Sequence, residues 1–308
     1  MLRSILLTTI AAGLFACAAS GQNSLFNRYD VKMTGWAQLP PDMPWGGETS
    51  WVAADGKGQV VVMMRKEPVF RFFTRDGQFV KAWGDQKLFV EAHSVYFDSE
   101  GYIWGVDAMD HVAYKFDPNG KIVMSLGKKG MTGDNSSHDL FNRPSTLFIA
   151  QNGHIFVADG YENSRVVEFA KDGKFVRIFG GVKGSGPGQM QLIHGVVVDS
   201  KGRVIASDSD NKRLTVFDKD GKFLGTWAVP CRGGIAILPD DTIYVSDVNS
   251  GMVAILKEGR IVDVVKVEGR PLGLGVDPTT FDVYTTSSVI ASPNVTKASL
   301  KKPKAAEN

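Results

Sequence analysis

A tyrosine in the loop Asp159-Gly160-Tyr161-Glu162-Asn163-Ser164-Arg165 and, one repeat later, a histidine in Ile193-His194-Gly195 are the residues that point most directly to chemistry. His93, in Ala92-His93-Ser94, stands at the same place in its own repeat as His194. Neutral imidazoles are zinc ligands, and a catalytic zinc site commonly takes three protein ligands and keeps one position open. A phenol, with an unperturbed pKa of about 10, becomes a general base when a nearby cation lowers that value.

These residues belong to a repeat that fills the chain. Around Tyr161 an apolar run meets a turn at Gln151-Asn152-Gly153. A second run, His154-Ile155-Phe156-Val157-Ala158-Asp159, leads to the tyrosine loop, and a third, Arg165-Val166-Val167-Glu168-Phe169, ends at Lys171-Asp172-Gly173. A fourth run follows, so each repeat holds four short β-rich segments joined by hairpin signals. Matching turns stand at Asp55-Gly56, Asp98 to Gly101, Asp199 to Gly202, Pro239-Asp240-Asp241 and Asp277-Pro278-Thr279. Their spacing of about 40 to 50 residues is a propeller blade period, and no stretch carries a capped helical pattern. The expected fold is an all-β, six-bladed β-propeller over residues 25–300. The strand-like run Arg28 to Trp36 should close the ring by pairing with the sixth blade, which is one outer strand short. In such a ring the innermost strands start at one end of the central channel, so His93 and His194, two blades apart, converge on its axis.

Composition narrows the function. The 308 residues are 43% hydrophobic and 22% charged with a net charge of +2, normal for a packed globular protein and without the basic field a nucleic acid needs. Residues 1–20 read as a signal peptide: Met1-Leu2-Arg3 gives a positive start, Ile5 to Ala19 is apolar, and small residues follow. Leu14-Phe15-Ala16-Cys17 also resembles a lipobox, in which Cys17 would carry a lipid. The protein is therefore expected to be exported, periplasmic or extracellular, touching a membrane only through such an anchor, and monomeric. Residues 301–308 read as a charged, disordered tail. With the leader removed only Cys231 remains, too few for an internal disulfide.

Strands ending in Val-Ala-Asp or Val-Ser-Asp, an Asn/Arg-bearing loop and a following Val-x-x-Phe resemble the NHL class of six-bladed propeller. Blades two to four are similar, more narrowly, to peptidyl-α-hydroxyglycine α-amidating lyase, which cleaves a C-terminal hydroxyglycine to a peptide amide and glyoxylate. The resemblance implies that Tyr161 is the catalytic tyrosine, that Arg65, after Val60-Val61-Val62-Met63-Met64, is the active-site arginine, and that His93 and His194 are two of three zinc histidines. It also implies zinc as the cofactor, with calcium as a further ion. The chain departs from the family at Arg270-Pro271-Leu272-Gly273, where Leu272 stands for the third histidine and Gly273 for a calcium aspartate; Glu162 stands for a disulfide cysteine.

With these parts, a tyrosinate would take the hydroxyl proton of a carbinolamide as its C–N bond breaks. Arg65 and a metal would lower the phenol's pKa, and Arg65 would fork onto the substrate carboxylate. The substrate, a small molecule or peptide, would enter the central channel. A different reading is a non-catalytic propeller that binds a peptide, sugar or protein at that channel, or a hydrolase on the same frame. His111 and His138 read as structural. Asp107, Asp159, Asp208 and Asp247 should accept loop N–H groups, and Trp83, Phe179 and Trp227 should be core.

Overall fold

The computed structural model describes residues 28–32, 35–267, 269–287 and 295–301. The signal-peptide segment 1–20, with Cys17, and the tail beyond residue 301 lie outside the described residues. Among those described there is no helix, and the strands form six four-stranded antiparallel sheets.

Each sheet is one blade. The inner strands are Thr49–Ala54, Ala92–Phe97, Thr146–Ile149, Ile193–Val198, Ile235–Ile237 and Pro271–Val276 for blades one to six. Five blades are sequential meanders. The sixth takes Val283–Ser287 and Val295–Leu300 from the end of the chain and is completed by Tyr29–Lys32. This is the expected closure: Tyr29 pairs with Leu300 and Lys32 with Lys297.

The turns form for a local reason. Asp98 Oδ1 accepts the N–H groups of Glu100 and Tyr102 at 3.0 and 2.9 Å, and Asp117 Oδ1 accepts those of Asn119 and Lys121, both at 2.9 Å. The aspartate thus mimics a turn of backbone and reverses the chain. Asp55, Asp199 and Asp218 repeat the pattern.

The core sits between the blades. Six buried clusters occur, one at each blade interface, because a middle strand faces a neighbour on both sides. In Gln59–Met64, Val61 and Met63 enter the cluster shared with blade two, while Val60, Val62 and Met64 enter the one shared with blade six. That double burial accounts for the unbroken apolar run in the sequence. Trp83, Phe179 and Trp227 pack at such interfaces, as expected. The interface between blades six and one is built like the rest, around Trp36, Phe73 and Tyr284.

Candidate functional site

His93 and His194 meet at the channel axis because each is an extra residue in its strand. Blade two pairs Ala92 with Asp107 and then Ser94 with Val106, so His93 is bulged out; blade four pairs Ile193 with Asp208 and Gly195 with Ser207, leaving out His194. A bulge re-aims its side chain, here into the channel. Blade one repeats the bulge at Ser50, and blade six skips Leu272 and Gly273. Leu272 therefore lies in a strand irregularity placed like those of His93 and His194, but with an aliphatic side chain.

The two imidazoles lie 5.0 Å apart between ring centres and are buried. His93 Nδ1 is 2.5 Å from the carbonyl oxygen of Ser145, and His194 Nδ1 is 3.1 Å from that of Gly233. A carbonyl only accepts, so both Nδ1 atoms carry hydrogen and both Nε2 atoms present a lone pair. Burial keeps the rings neutral. It lowers His194 to about 4, with Arg232 and Arg65 adding to the effect, and holds His93 well below the usual histidine range, with His194 and Arg65 adding.

Tyr161 stands between those lone pairs, its hydroxyl 2.8 Å from His93 Nε2 and 3.1 Å from His194 Nε2. One hydroxyl proton can satisfy only one nitrogen, which leaves the second contact as acceptor against acceptor. Imidazole nitrogens are donors that zinc takes, and the surplus lone pair is what a cation would satisfy. Among the described residues no group of three His, Cys, Asp or Glu side chains is placed to hold a metal. Burial pushes the Tyr161 hydroxyl up to about 12, with Glu91 adding and Arg65, Arg143 and Arg232 opposing. Arg65 thus lowers the phenol as the sequence suggested, but burial outweighs the arginines together.

The loop around Tyr161 is pinned from beneath. Asp159 accepts from the Asn142 N–H, the Asn163 amide and Arg165 Nε at 2.8, 2.8 and 2.9 Å. Arg165, fully buried, also donates to the carbonyls of Ser137 and Leu140. Asp107, Asp208 and Asp247 play the expected structural part, chiefly by holding the connector that leads into the inner strand, through Glu91, Gln191 and Arg232 N–H. Gly160 lets the loop approach blade four: a Cβ there would lie 2.0 Å from the Ile193 oxygen.

Arg65 reaches the site through Glu91, at 2.7 Å, with Glu48 at 3.3 Å on its other side. Three site residues were not singled out by sequence reasoning. Glu91 bridges Arg65 and Arg143; Arg143 places its guanidinium 5.1 Å from the Tyr161 ring centre; Trp51 lies 5.9 Å from each imidazole and is buried beneath them. Trp51 had a signal, since it fills the position where Ser94 and Gly195 follow their bulges. Gly273 makes room for it, because a Cβ there would lie 2.5 Å from Trp51 Cα. His111 and His138 hold no place beside the other two: His111 Nδ1 accepts the Arg143 N–H at 3.0 Å, and His138 stacks on Phe175 at 3.9 Å.

Fold and site define a six-bladed β-propeller with NHL-type repeats and a polar site at one end of its channel. A family model described as a 6-bladed beta-propeller matches residues 136–244. The chain is 35% identical over 128 residues to a probable peptidyl-alpha-hydroxyglycine alpha-amidating lyase of Caenorhabditis elegans, covering 41% of this chain and 36% of that protein. It is 32% identical over 195 residues to human NHL repeat-containing protein 3, covering 60% and 54% respectively. The chain thus spans about a third to a half of the length of these curated relatives. A streptogramin B lyase structure superposes with a TM-score of 0.64 at 10% identity, covering 89% of this chain and 98% of that one, a likeness of fold. The chain is related to the amidating lyases, and its relatives and structural neighbours include enzymes.

Proposed function

We propose that this propeller is an exported, metal-assisted lyase that cleaves the C–N bond of an N-acyl-α-hydroxyglycine to give an amide and glyoxylate. The observation that carries the proposal is the Tyr161 hydroxyl held between two unprotonated Nε2 atoms at the channel axis. His93 and His194 are the residues that would hold the ion, oriented by their carbonyl partners. A divalent ion there would supply the positive charge that brings the Tyr161 hydroxyl, at about 12 without it, into the working range, and would polarise a substrate oxygen.

The chain's own residues then have defined tasks. Tyr161, as phenolate, takes the substrate hydroxyl proton; the oxygen's electrons form the aldehyde C=O as the C–N bond breaks. The departing amide nitrogen takes a proton back from the phenol, so atoms and charge balance. Arg65, held by Glu91 and Glu48, supplies fixed positive charge beside this transfer. Trp51 closes the floor of the site and excludes water from it.

A second reading has one observation in its favour: Leu272 stands in the third histidine's register, as suits a propeller that binds at its channel without chemistry. One experiment separates the two. Metal content of the purified chain is measured for wild type and for His93→Ala with His194→Ala, together with glyoxylate release from α-hydroxyhippurate by wild type and Tyr161→Phe. About one divalent ion per chain, lost in the double variant, with glyoxylate release that Tyr161→Phe abolishes, is expected. No ion after incubation with zinc, or release that survives Tyr161→Phe, refutes the lyase mechanism.

A further inference from the structure

Two arginines flank Tyr161 under unlike constraints. Arg65 is the more committed: Nη1 donates to Glu91 at 2.7 Å, and Nε, though it makes no hydrogen bond, lies 3.3 Å from Glu48. Arg143 is fixed in its backbone and loose at its tip. Its φ is +58°, its N–H donates to His111 Nδ1 at 3.0 Å, and its carbonyl accepts the Tyr161 N–H at 3.3 Å. Its Nη atoms have only Glu91 and Glu162, each at 3.5 Å, while Nε is buried without a partner. Charge-assisted N–H···O bonds run at about 2.7–2.9 Å, so the planar fork that best suits a carboxylate is here left unmatched. It is rigidly mounted at the tyrosine, and its most exposed counter-ion, Glu162, is 54% exposed.

We propose that Arg143, and not Arg65, is the residue that binds the substrate's carboxylate, making it a specificity-determining group for acids over their neutral amides. The proposal rests on the lyase reading for the substrate's identity, but its test needs neither metal nor turnover. Arg65, whose Nη1 is already paired to Glu91, then serves as the electrostatic partner of Tyr161.

The test is isothermal titration of the full chain, freed of metal with a chelator, with N-acetylglycine and with its uncharged counterpart N-acetylglycinamide. Wild type is expected to bind the acid and not the amide. Arg143→Gln should weaken the acid roughly 10- to 100-fold through loss of a bidentate charged contact. Arg143→Lys, which keeps the charge and loses the fork, should weaken it several-fold and carries the test if the glutamine variant fails to fold. Equal affinity of the folded Arg143 variants and wild type for the acid, equal affinity of wild type for acid and amide, or no binding of the acid at all overturns the proposal. Acid binding that depends on Arg143 without glyoxylate release in the enzyme assay would sink the lyase reading and leave this one standing. Glyoxylate release with Arg143-independent binding would do the reverse.

Discussion

Replacing Arg165 with methionine strands a buried carboxylate. Both side chains of the Arg165–Asp159 pair are fully buried, and without the guanidinium Asp159 keeps only the Asn142 N–H and the Asn163 amide. Removing one partner of a buried ion pair costs about 3–5 kcal/mol, because the remaining charge stays desolvated. With a urea slope near 3 kcal/mol per molar, the unfolding midpoint should fall by roughly 1–1.7 M. Arg213→Met in blade four is the internal comparison. Asp208 there retains both contacts from Asn211 together with Thr215 and the Gln191 N–H, and Arg213 is 18% exposed, so the loss should be about half as large.

The same substitution has a pH signature. Burial already raises the Asp159 carboxyl, against the pull of Asn163 and Arg165, and losing Arg165 raises it further. The folded variant then holds a proton that the unfolded chain has released, so its stability falls as pH rises through the carboxylate range. The wild-type-to-variant difference should therefore be smaller at pH 5 than at pH 7.5, and Asp159→Asn in the Arg165→Met background should restore at least about 1 kcal/mol by removing the buried charge. Urea titrations at both pH values measure all three chains. A variant within about 1 kcal/mol of wild type at pH 7.5, or one hurt more at pH 5, would refute the argument from an uncompensated charge.

Other expectations follow from the same geometry. Trp51→Ala should cost about 3–5 kcal/mol and admit water to the imidazoles, so the His194 value, near 4, should climb toward its ordinary 6.5 in an NMR titration. Wild type loses stability between about pH 6.5 and pH 4 because only its unfolded chain takes up that proton, and the variant should lose less; an unmoved His194 value would show that Trp51 does not shield it. Cys231 is buried with its thiol pushed up to about 12, so a disulfide reagent at pH 8 should leave the native protein unlabelled and react once urea unfolds it, whereas fast native labelling would mean the interface between blades four and five opens. Deleting residues up to Lys32 bares the edge of Val295–Leu300 and leaves Asp263 without Arg28, so the urea midpoint should drop by roughly 1 M with aggregation by light scattering. An unchanged midpoint would show that the ring is held without its closing strand.

Blade number and closure were legible because turn chemistry is local: an aspartate that bonds two residues ahead announces its hairpin wherever the strands later pack. The convergence of His93 and His194 was legible for a related reason, as two copies of one strand start share a register, whereas Tyr161 was placed beside them by the family resemblance of its loop. Glu91 and Arg143 were not, since they sit in connectors whose meeting depends on how adjacent blades tilt, which no spacing encodes. The depth of Tyr161 was not legible on the same account. The arginines were visible as letters, but the depth of the hydroxyl between two imidazoles, which outweighs them, appears only in three dimensions. The strand irregularity at Leu272 and Gly273 in blade six has the place that the bulges at His93 and His194 have in theirs, so the backbone form recurs there with an aliphatic side chain.

The strand that locks the ring, Tyr29–Lys32, is the first of the described strands to be made, and its partner, Val295–Leu300, is the last. Five meanders can form in the order they are made, yet none of them can seal the circle. Until Val295–Leu300 is delivered the nascent ring is an open arc, its sixth sheet without the strand that Tyr29–Lys32 pairs with. A chain that stalls or is clipped before Val295–Leu300 therefore keeps Pro271–Val276 and Val283–Ser287 but has no partner for Tyr29–Lys32, so topology alone leaves the two ends of its ring unjoined.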